Sequence, residues 1–433
     1  MKQSQSSSRA GSASRRRFLK ASIAASAAGA FLSRSAYPAG NDLLRVGLIG
    51  CGGRGTGAAA EALAADPNVK LVAMGDAFAD HIETSLAQLQ QDAKIVGKID
   101  VPPERRFSGF DNFKYVIDNV DVVLLAEPPH FRPMHLKAAI EAGKHVFAEK
   151  PVAVDAPGVR SVLASCEEAR KKNLSVVSGL CFRYSHGFRE AIRRIHDGAI
   201  GDIVALQAND FRGPIWVRPR QPAWSDLEYQ VRNWYYFTWL SGDFIVEQHV
   251  HYLDICSWAM KGEYPVKAVG TGGRQVRTGP DYGNIFDHHA VIYEYANGTK
   301  LFGICRQQAG CYNNTGAIVL GTKGTAEISP VRQTISGSNP WKYSGAQNNF
   351  YQTEHDELFA AIRSGKAINN GEYMSKTTLL GVMGRWASYT GQAVTWDQVL
   401  DSKEDFSLSK YEWGPFPTPS VALPGQTDTP QSS

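Results

Sequence analysis

Between Arg45 and Cys181 the chain alternates short, unbroken apolar runs with longer stretches whose apolar positions recur at helical spacing. The runs Arg45–Ile49, Leu71–Met74, Val120–Ala126, His145–Ala148 and Ser175–Cys181 read as buried parallel strands, because a strand covered on both faces carries no polar alternation. The stretches Ala58–Ala65, His81–Gln91, His135–Gly143, Pro157–Asn173 and His186–Gly198 read as helices, with Gly143 suited to a helix C-cap. From Gly201 the pattern changes. Ile203–Ala208, Val266–Gly272, His288–Tyr295, Lys300–Gln307 and Ala317–Gly321 predict longer strands, and Ala296-Asn297-Gly298-Thr299 carries a hairpin signal between two of them. A helical pattern, Ile245–Met260, interrupts this set, and Phe350–Ser364 and Ser375–Thr390 predict a late helix pair packed back near the cleft. The expected fold is α/β: an N-terminal doubly wound, Rossmann-type domain at 42–200, then an α+β domain at 201–408 built on a large, mostly antiparallel open sheet. Residues 409–433, with five prolines, predict a tail draped on the surface or on a partner.

Charge changes the picture at one end only. The net charge of the 433 residues is +4, but residues 1–41 hold seven Lys/Arg and no acid, leaving 39 basic against 42 acidic residues beyond them. That balance gives no reason to expect a nucleic-acid partner. Ser14-Arg15-Arg16-Arg17-Phe18-Leu19-Lys20 matches the twin-arginine export pattern, and Ala21–Leu32 is too short and too weakly apolar to span or stably enter a membrane. Residues 1–41 are therefore expected to engage the twin-arginine machinery and deliver a folded protein to the periplasm. Cleavage is expected near residues 33–42. The six cysteines show no metal spacing and read as small core residues, with Cys305 and Cys311 the candidates for pairing in an oxidising compartment. No metal site is expected.

The first strand runs into Gly50-Cys51-Gly52-Gly53-Arg54-Gly55 and a helix follows. Gly50 permits the tight turn, Gly52 lets backbone approach a pyrophosphate, Gly55 lets helix pack on strand, and the helix N-terminus offers free N–H groups to phosphate. The next strand ends at Asp76, placed to bind both hydroxyls of an adenosine ribose, which favours NAD. Arg54 leaves NADP open, since a guanidinium there can meet a 2′-phosphate. Glu149-Lys150-Pro151 closes another buried strand, which aims Lys150 at the ligand crevice, where it can stabilise a developing alkoxide. On one continuous helix Glu247, His251, Asp254 and Trp258 share a face, so the Glu247 carboxylate is expected to orient His251 and raise its proton affinity as a general acid/base; His249 points elsewhere. Phe211 to Trp239 is dense in aromatics and arginines, including Arg232, Tyr235 and Trp239, which suits either sugar recognition or a subunit contact. Arg183 and Tyr184, beyond a strand end, are further cleft candidates.

Together the glycine loop, Pro128-Pro129-His130…His135, Ala142–Pro151 (A-G-K-H-V-F-A-E-K-P) and Gly242-Asp243…Glu247…His251…Asp254 resemble the Gfo/Idh/MocA oxidoreductases over roughly residues 43–400. The resemblance implies a catalytic set of Lys150, His251 and Glu247. With the residues read above, the expected cofactor set is Gly50, Gly52, Gly53, Arg54, Gly55, Asp76, Pro128, His130, His135, Glu149 and Lys150; to the substrate candidates Arg183, Tyr184, Arg232, Tyr235, Trp239 and His249 the resemblance adds Asp254. The resemblance implies hydride transfer between nicotinamide and a sugar, glycoside or polyol, with a cofactor that need not dissociate, in a homodimer or homotetramer. Two positions depart from the family pattern: Glu247 stands where Asp is common, and Glu127 where Thr precedes Pro-Pro. Two other readings stay open. One is an NAD-dependent glycosidase working by oxidation, elimination and re-reduction, against which Lys150 argues. The other is a non-catalytic sugar-binding protein on a dehydrogenase fold.

Overall fold

The computed structural model describes residues 42–428; the expected export segment lies outside them, as do residues 429–433 of the tail. The first unit is a six-stranded parallel sheet of β1 (Leu44–Ile49), β2 (Val69–Asp76), β3 (Arg106–Ser108), β4 (Val122–Leu125), β5 (His145–Ala148) and β6 (Val176–Ser178), ordered β3-β2-β1-β4-β5-β6. Chain order reverses between β1 and β4, and ligands bind at the carboxyl ends of strands flanking such a switch point. Val46, Leu48, Val122, Leu124, Val146 and Phe147 are fully buried, which explains the unbroken apolar runs. The edge strand β3 escaped the sequence pattern because it is three residues long and none is fully buried.

The second unit is a nine-stranded sheet of β7 (Ile203–Arg212), β8 (Lys267–Gly273), β9 (His288–Glu294), β10 (Lys300–Gln307), β11 (Asn314–Gly321), β12 (Gly324–Ser329), β13 (Arg332–Gly337), β14 (Trp341–Lys342) and β15 (Val394–Thr395). Its order is β14-β13-β12-β11-β7-β10-β9-β8-β15, antiparallel except where β7 meets β10. The expected Asn297-Gly298 hairpin joins β9 to β10, with Gly298 at φ +87°. Along those strands Val291, Tyr293, Leu301 and Cys305 face the core while Ile292 and Phe302 face outward. The covered face carries the Gly371–Thr390 helix, which also packs on Ala156–Lys171 and so ties the two units together. The Phe350–Ser364 helix lies against the glycine-loop helix, Gly53–Ala65.

Two expectations are corrected at this level. The expected helix Ile245–Met260 is two helices, Phe244–Glu247 and Val250–Ala259. Both the Gln248 and His249 N–H groups donate to the Phe244 carbonyl, at 2.9 and 3.0 Å, so one extra residue enters the ladder and the helical phase slips. The six cysteines are free: Cys305 is buried on β10, whereas Cys311 is exposed beyond its end, so neither the pairing nor a core role for Cys311 holds.

Candidate active site

Two cavities open at the carboxyl ends of β1, β2, β4 and β5, and they share Ala126, Glu127 and Trp234. The first, about 610 Å³, runs along the glycine turn and is lined by Gly50, Gly52, Asp76, Phe78, Phe110, Pro128 and His135, among others. The second, about 660 Å³, gathers Arg54, Arg132, Glu149, Lys150, Gly179, Glu247, Gln248, His251 and Tyr351.

The first cavity fits a dinucleotide. Gly50 holds φ +90°, and a Cβ there would stand 2.3 Å from the Glu127 nitrogen; a Cβ on Gly55 would stand 1.9 Å from the Gly50 carbonyl. These two glycines are thus required by the turn. Gly52 and Gly53 have open space where a Cβ would lie, the cradle a pyrophosphate needs at a helix N-terminus. The Asp76 carboxylate is oriented from both sides. Its Oδ2 accepts the Cys51 N–H at 2.7 Å; its Oδ1 accepts the Phe78 N–H at 3.0 Å and lies 3.2 Å from His81 Nδ1. A carboxylate has lone pairs left over for two ribose hydroxyls. Beneath the cavity, Glu127 lies 3.4 Å from His135 and 3.9 Å from Arg132. Both Glu127 carboxylate oxygens and both His135 nitrogens are buried without a hydrogen-bond partner. Glu127 therefore turns inward onto Arg132 and His135.

In the second cavity Lys150 Nζ donates to Glu247 Oε1 at 2.8 Å and to the Glu247 carbonyl at 2.6 Å. The Lys150–Pro151 bond is cis. His251 faces the same cavity from the first turn of Val250–Ala259, its ring 5.1 Å from Phe182. The expected Glu247–His251 pairing is corrected: the phase slip at Gln248–His249 separates them, Lys150 takes the carboxylate, and His251 Nδ1 is buried unpartnered. The proton affinity of His251 is lowered, contrary to expectation, by burial and by the charges of Lys150, Arg212 and Arg54. The site thus offers a neutral imidazole beside an ammonium held by a carboxylate. That arrangement can accept a hydroxyl proton and stabilise the oxygen it leaves.

Several expected contacts lie elsewhere. Arg54 is held in a cage of Glu149 (2.5 Å), Glu61 (2.9 Å) and Glu354 (3.2 Å), with Tyr351 beneath it, so its guanidinium is already committed and not held for a 2′-phosphate at Asp76. Burial and Glu149 push the Glu354 carboxyl well above its ordinary range. His130 bonds the Tyr411 hydroxyl at 2.7 Å and packs edge-on to Trp239, outside the dinucleotide cavity. Arg183 and Asp254 form a bidentate pair, both bonds 2.8 Å, which Thr377 and the Tyr373 ring complete. Tyr184 bonds Asn370 and is buried. His249 is fully buried, and burial lowers it to about 3. The Tyr235 hydroxyl accepts from Gln307 and the Trp239 indole donates to Gln230, both in the core. Arg232 binds Asp80 across the mouth of the cleft. None of these seven substrate candidates lines the catalytic cavity. Trp234, Tyr351, Arg132 and Gln248 do. Trp234 sat unselected inside the aromatic run, and the others carried no local signal. Among the described residues no group of three or more His, Cys, Asp or Glu is placed to hold a metal, and no helix is long and apolar enough to cross a membrane.

Residues 44–178 match the oxidoreductase family with an NAD-binding Rossmann fold, and residues 188–327 match the GFO/IDH/MocA C-terminal domain. Inositol 2-dehydrogenase of Rhizobium meliloti is 23% identical over 336 residues, 75% of this chain and 90% of that protein. The 2,7-anhydro-N-acetylneuraminate hydratase of Escherichia coli is 26% identical over 219 residues, 51% of this chain; the matched part spans about half of the hydratase, 54% of its length. Aldose–aldose oxidoreductase from Caulobacter crescentus has the same fold, with a TM-score of 0.64 at 21% identity over 82% of this chain and 100% of that one.

Proposed function

This chain belongs to the Gfo/Idh/MocA oxidoreductase family, and on that premise we propose that it transfers hydride between NAD and a hydroxyl-bearing carbon of a sugar, glycoside or polyol. The observation that carries this reading is the convergence of Lys150, Glu247 and His251 on one cavity that continues into the dinucleotide cleft at Ala126–Glu127. When bound, NAD supplies the hydride acceptor at its nicotinamide ring. Gly50, Gly52, Gly53, Asp76 and Pro128 would hold it. Lys150, fixed by two acceptors of Glu247, keeps a third N–H for the substrate oxygen and stabilises negative charge there. Neutral His251 accepts the hydroxyl proton, and in the reverse direction its imidazolium, disfavoured by burial and by Lys150, gives that proton up readily. NAD is favoured over NADP because Asp76 presents a carboxylate where a 2′-phosphate would lie, and Arg54 is engaged elsewhere.

A second reading draws on the hydratase relative. Transient oxidation followed by elimination and re-reduction uses the same groups and releases no reduced nucleotide. One assay separates the two: incubation with a panel of sugars, polyols and aryl glycosides, with product analysis. A keto-sugar supports net oxidation; a free aglycone or anhydro-sugar product supports the redox-neutral cycle. A protein that binds no nicotinamide and turns over neither class sinks both, leaving the sugar-binding reading.

Export and assembly complete the proposal. The Arg15-Arg16-Arg17-Phe18-Leu19-Lys20 pattern supports twin-arginine delivery to the periplasm; cell fractionation of the intact chain and of an Arg16→Lys/Arg17→Lys variant tests it. An outward row of Val204, Val269, Ile292, Phe302 and Leu320 on the second sheet, each 37% exposed or more, supports a homodimer or homotetramer through that face; light scattering measures the mass.

A further inference from the structure

Residues 406–416 are not a loose tail. They cross from the nucleotide unit to the second unit over the wall of the dinucleotide cleft. At one end the Phe406 N–H donates to Asp155 at 2.9 Å and the Tyr411 hydroxyl meets His130 at 2.7 Å. At the other end the Leu227 N–H donates to the Gly414 carbonyl at 3.1 Å, Gln230 to the Phe416 carbonyl at 2.9 Å, and the Phe416 N–H to Asp226 at 3.2 Å. Between these anchors the Trp413 ring stacks on Phe78 at 5.2 Å and lies 4.3 Å from Phe110. Phe78 and Phe110 line the cleft next to Asp76.

A second element closes the same mouth. Arg232, on the helix Asp226–Arg232 that also receives the tail, binds both Asp80 oxygens at 3.0 and 3.1 Å. Its guanidinium lies 3.8 Å over the Phe78 ring. Val231 and Trp234, from the same stretch, line the cleft itself. The adenosine side of the cleft is therefore bounded by three parts of the chain: the nucleotide unit, the second unit and residues 406–416. Trp413 stacks on Phe78 while Gly414 and Phe416 are bonded to the helix carrying Arg232, so the tail, that helix and the cleft wall are tied to one another.

We infer that residues 406–416, with Arg232 and Asp80, form a latch over the adenosine half of the dinucleotide, so that the cofactor is retained through many turnovers instead of exchanging with solvent. The inference rests on the nicotinamide reading above and adds to it the device that governs cofactor release. The latch acts on departure: an opened cleft still contains the glycine cradle and Asp76, so loosening it speeds loss of NAD more than it abolishes binding.

The test follows nucleotide, not catalysis. The intact chain and the variants Trp413→Ala, Arg232→Met and Asp80→Asn are loaded with radiolabelled NAD, and exchange against excess unlabelled NAD is timed, with thermal melting to confirm folding. The expected result is exchange at least tenfold faster in each variant than in the intact chain. Folded variants that exchange at the intact rate overturn the latch and leave the nicotinamide reading standing. An intact chain that binds no NAD overturns both. Where Trp413→Ala fails to fold, Asp80→Asn decides the matter, since Asp80 is exposed and supports no core.

Discussion

Lys150 donates both to the carboxylate and to the backbone carbonyl of Glu247, at 2.8 and 2.6 Å. The two acceptors belong to one residue, so the ammonium is aimed even when the carboxylate is altered. Replacing Lys150 by Met removes the donor to the substrate oxygen and should lower kcat about 10²–10³-fold, the usual cost of losing such a group, while bound NAD is unchanged. Glu247→Gln should cost less, since the carbonyl still orients Lys150. Steady-state kinetics paired with nucleotide titration checks both; a Glu247→Gln loss equal to that of Lys150→Met would show that the carboxylate itself handles the proton.

Asp76 is built for a ribose and backed by two peptide N–H groups. Asp76→Ala removes the acceptor and leaves the Cys51 and Phe78 N–H groups unpaired at the cleft. A lost charged hydrogen bond of about 1.5–3 kcal/mol predicts a rise in the Kd for NAD of roughly 10–150-fold. Preference over NADP should fall as well, because the carboxylate no longer repels a 2′-phosphate. Calorimetric titration with both nucleotides measures each effect.

What could be read from the sequence was what is local. The glycine turn, Asp76 and Lys150 each sit at the end of an apolar run, and strand-end position alone aims them at the crevice. Lys150 and Glu247 are 97 residues apart, and nothing in either neighbourhood predicts their pairing. The Glu247–His251 face failed for a different reason. Helical spacing assumes an unbroken ladder, and the double acceptance by Phe244 shifts the phase between the two residues. Arg183 reads as a ligand group because it follows a strand end, and Asp254 because helical spacing puts it on the face of His251, yet each is the other's partner. Trp413 was unreadable in a proline-rich stretch without periodicity, although its ring closes the cleft wall.

The Arg183–Asp254 pair has Asp254 almost fully buried, with Thr377 donating to the same carboxylate. Arg183→Ala should therefore act on stability and not on substrate recognition. Breaking one side of a buried pair costs about 3–5 kcal/mol, which a chemical denaturation series would register. KM for the best sugar found should stay within about twofold of the intact protein, in keeping with a residue outside the cavity; a large KM change in a folded variant would return Arg183 to the substrate site.

Stability should decline on the acid side of neutrality. Burial holds His130 and His145 down to about 4 and His249 to about 3, and it lowers His251 and His355 well below their ordinary value. All five take up a proton less readily in the folded chain than in the unfolded chain, which begins to protonate them near pH 6.5. The unfolded state then binds more protons, so stability is complete above about pH 6.5 and is lost as pH falls, by up to about 1.4 kcal/mol per pH unit for each histidine. Asp210, which burial raises to about 6, and Glu354, which burial raises above its ordinary range, bind protons more readily folded than unfolded and oppose part of this slope. Denaturation midpoints between pH 7.5 and 5 measure the net effect.

His249 isolates a single histidine's share of that slope. Its two ring nitrogens are buried without hydrogen-bond partners, and His289 and Arg212 add to the penalty on its charged form. An apolar side chain loses no hydrogen bond there. His249→Leu should leave stability at pH 7.5 equal or raise it by about 1 kcal/mol, the lower end of the cost of an unsatisfied buried polar group. It should also flatten the fall between pH 6.5 and 5 by about one proton's worth. Activity towards the sugar should persist, because His249 lies in the core beneath β10, where a Cβ on Gly303 would stand 3.3 Å from its Nε2, and does not line the catalytic cavity. A folded His249→Leu protein that keeps the full acid slope would show that this imidazole already carries a proton in the native state and that a partner for it exists in the working enzyme.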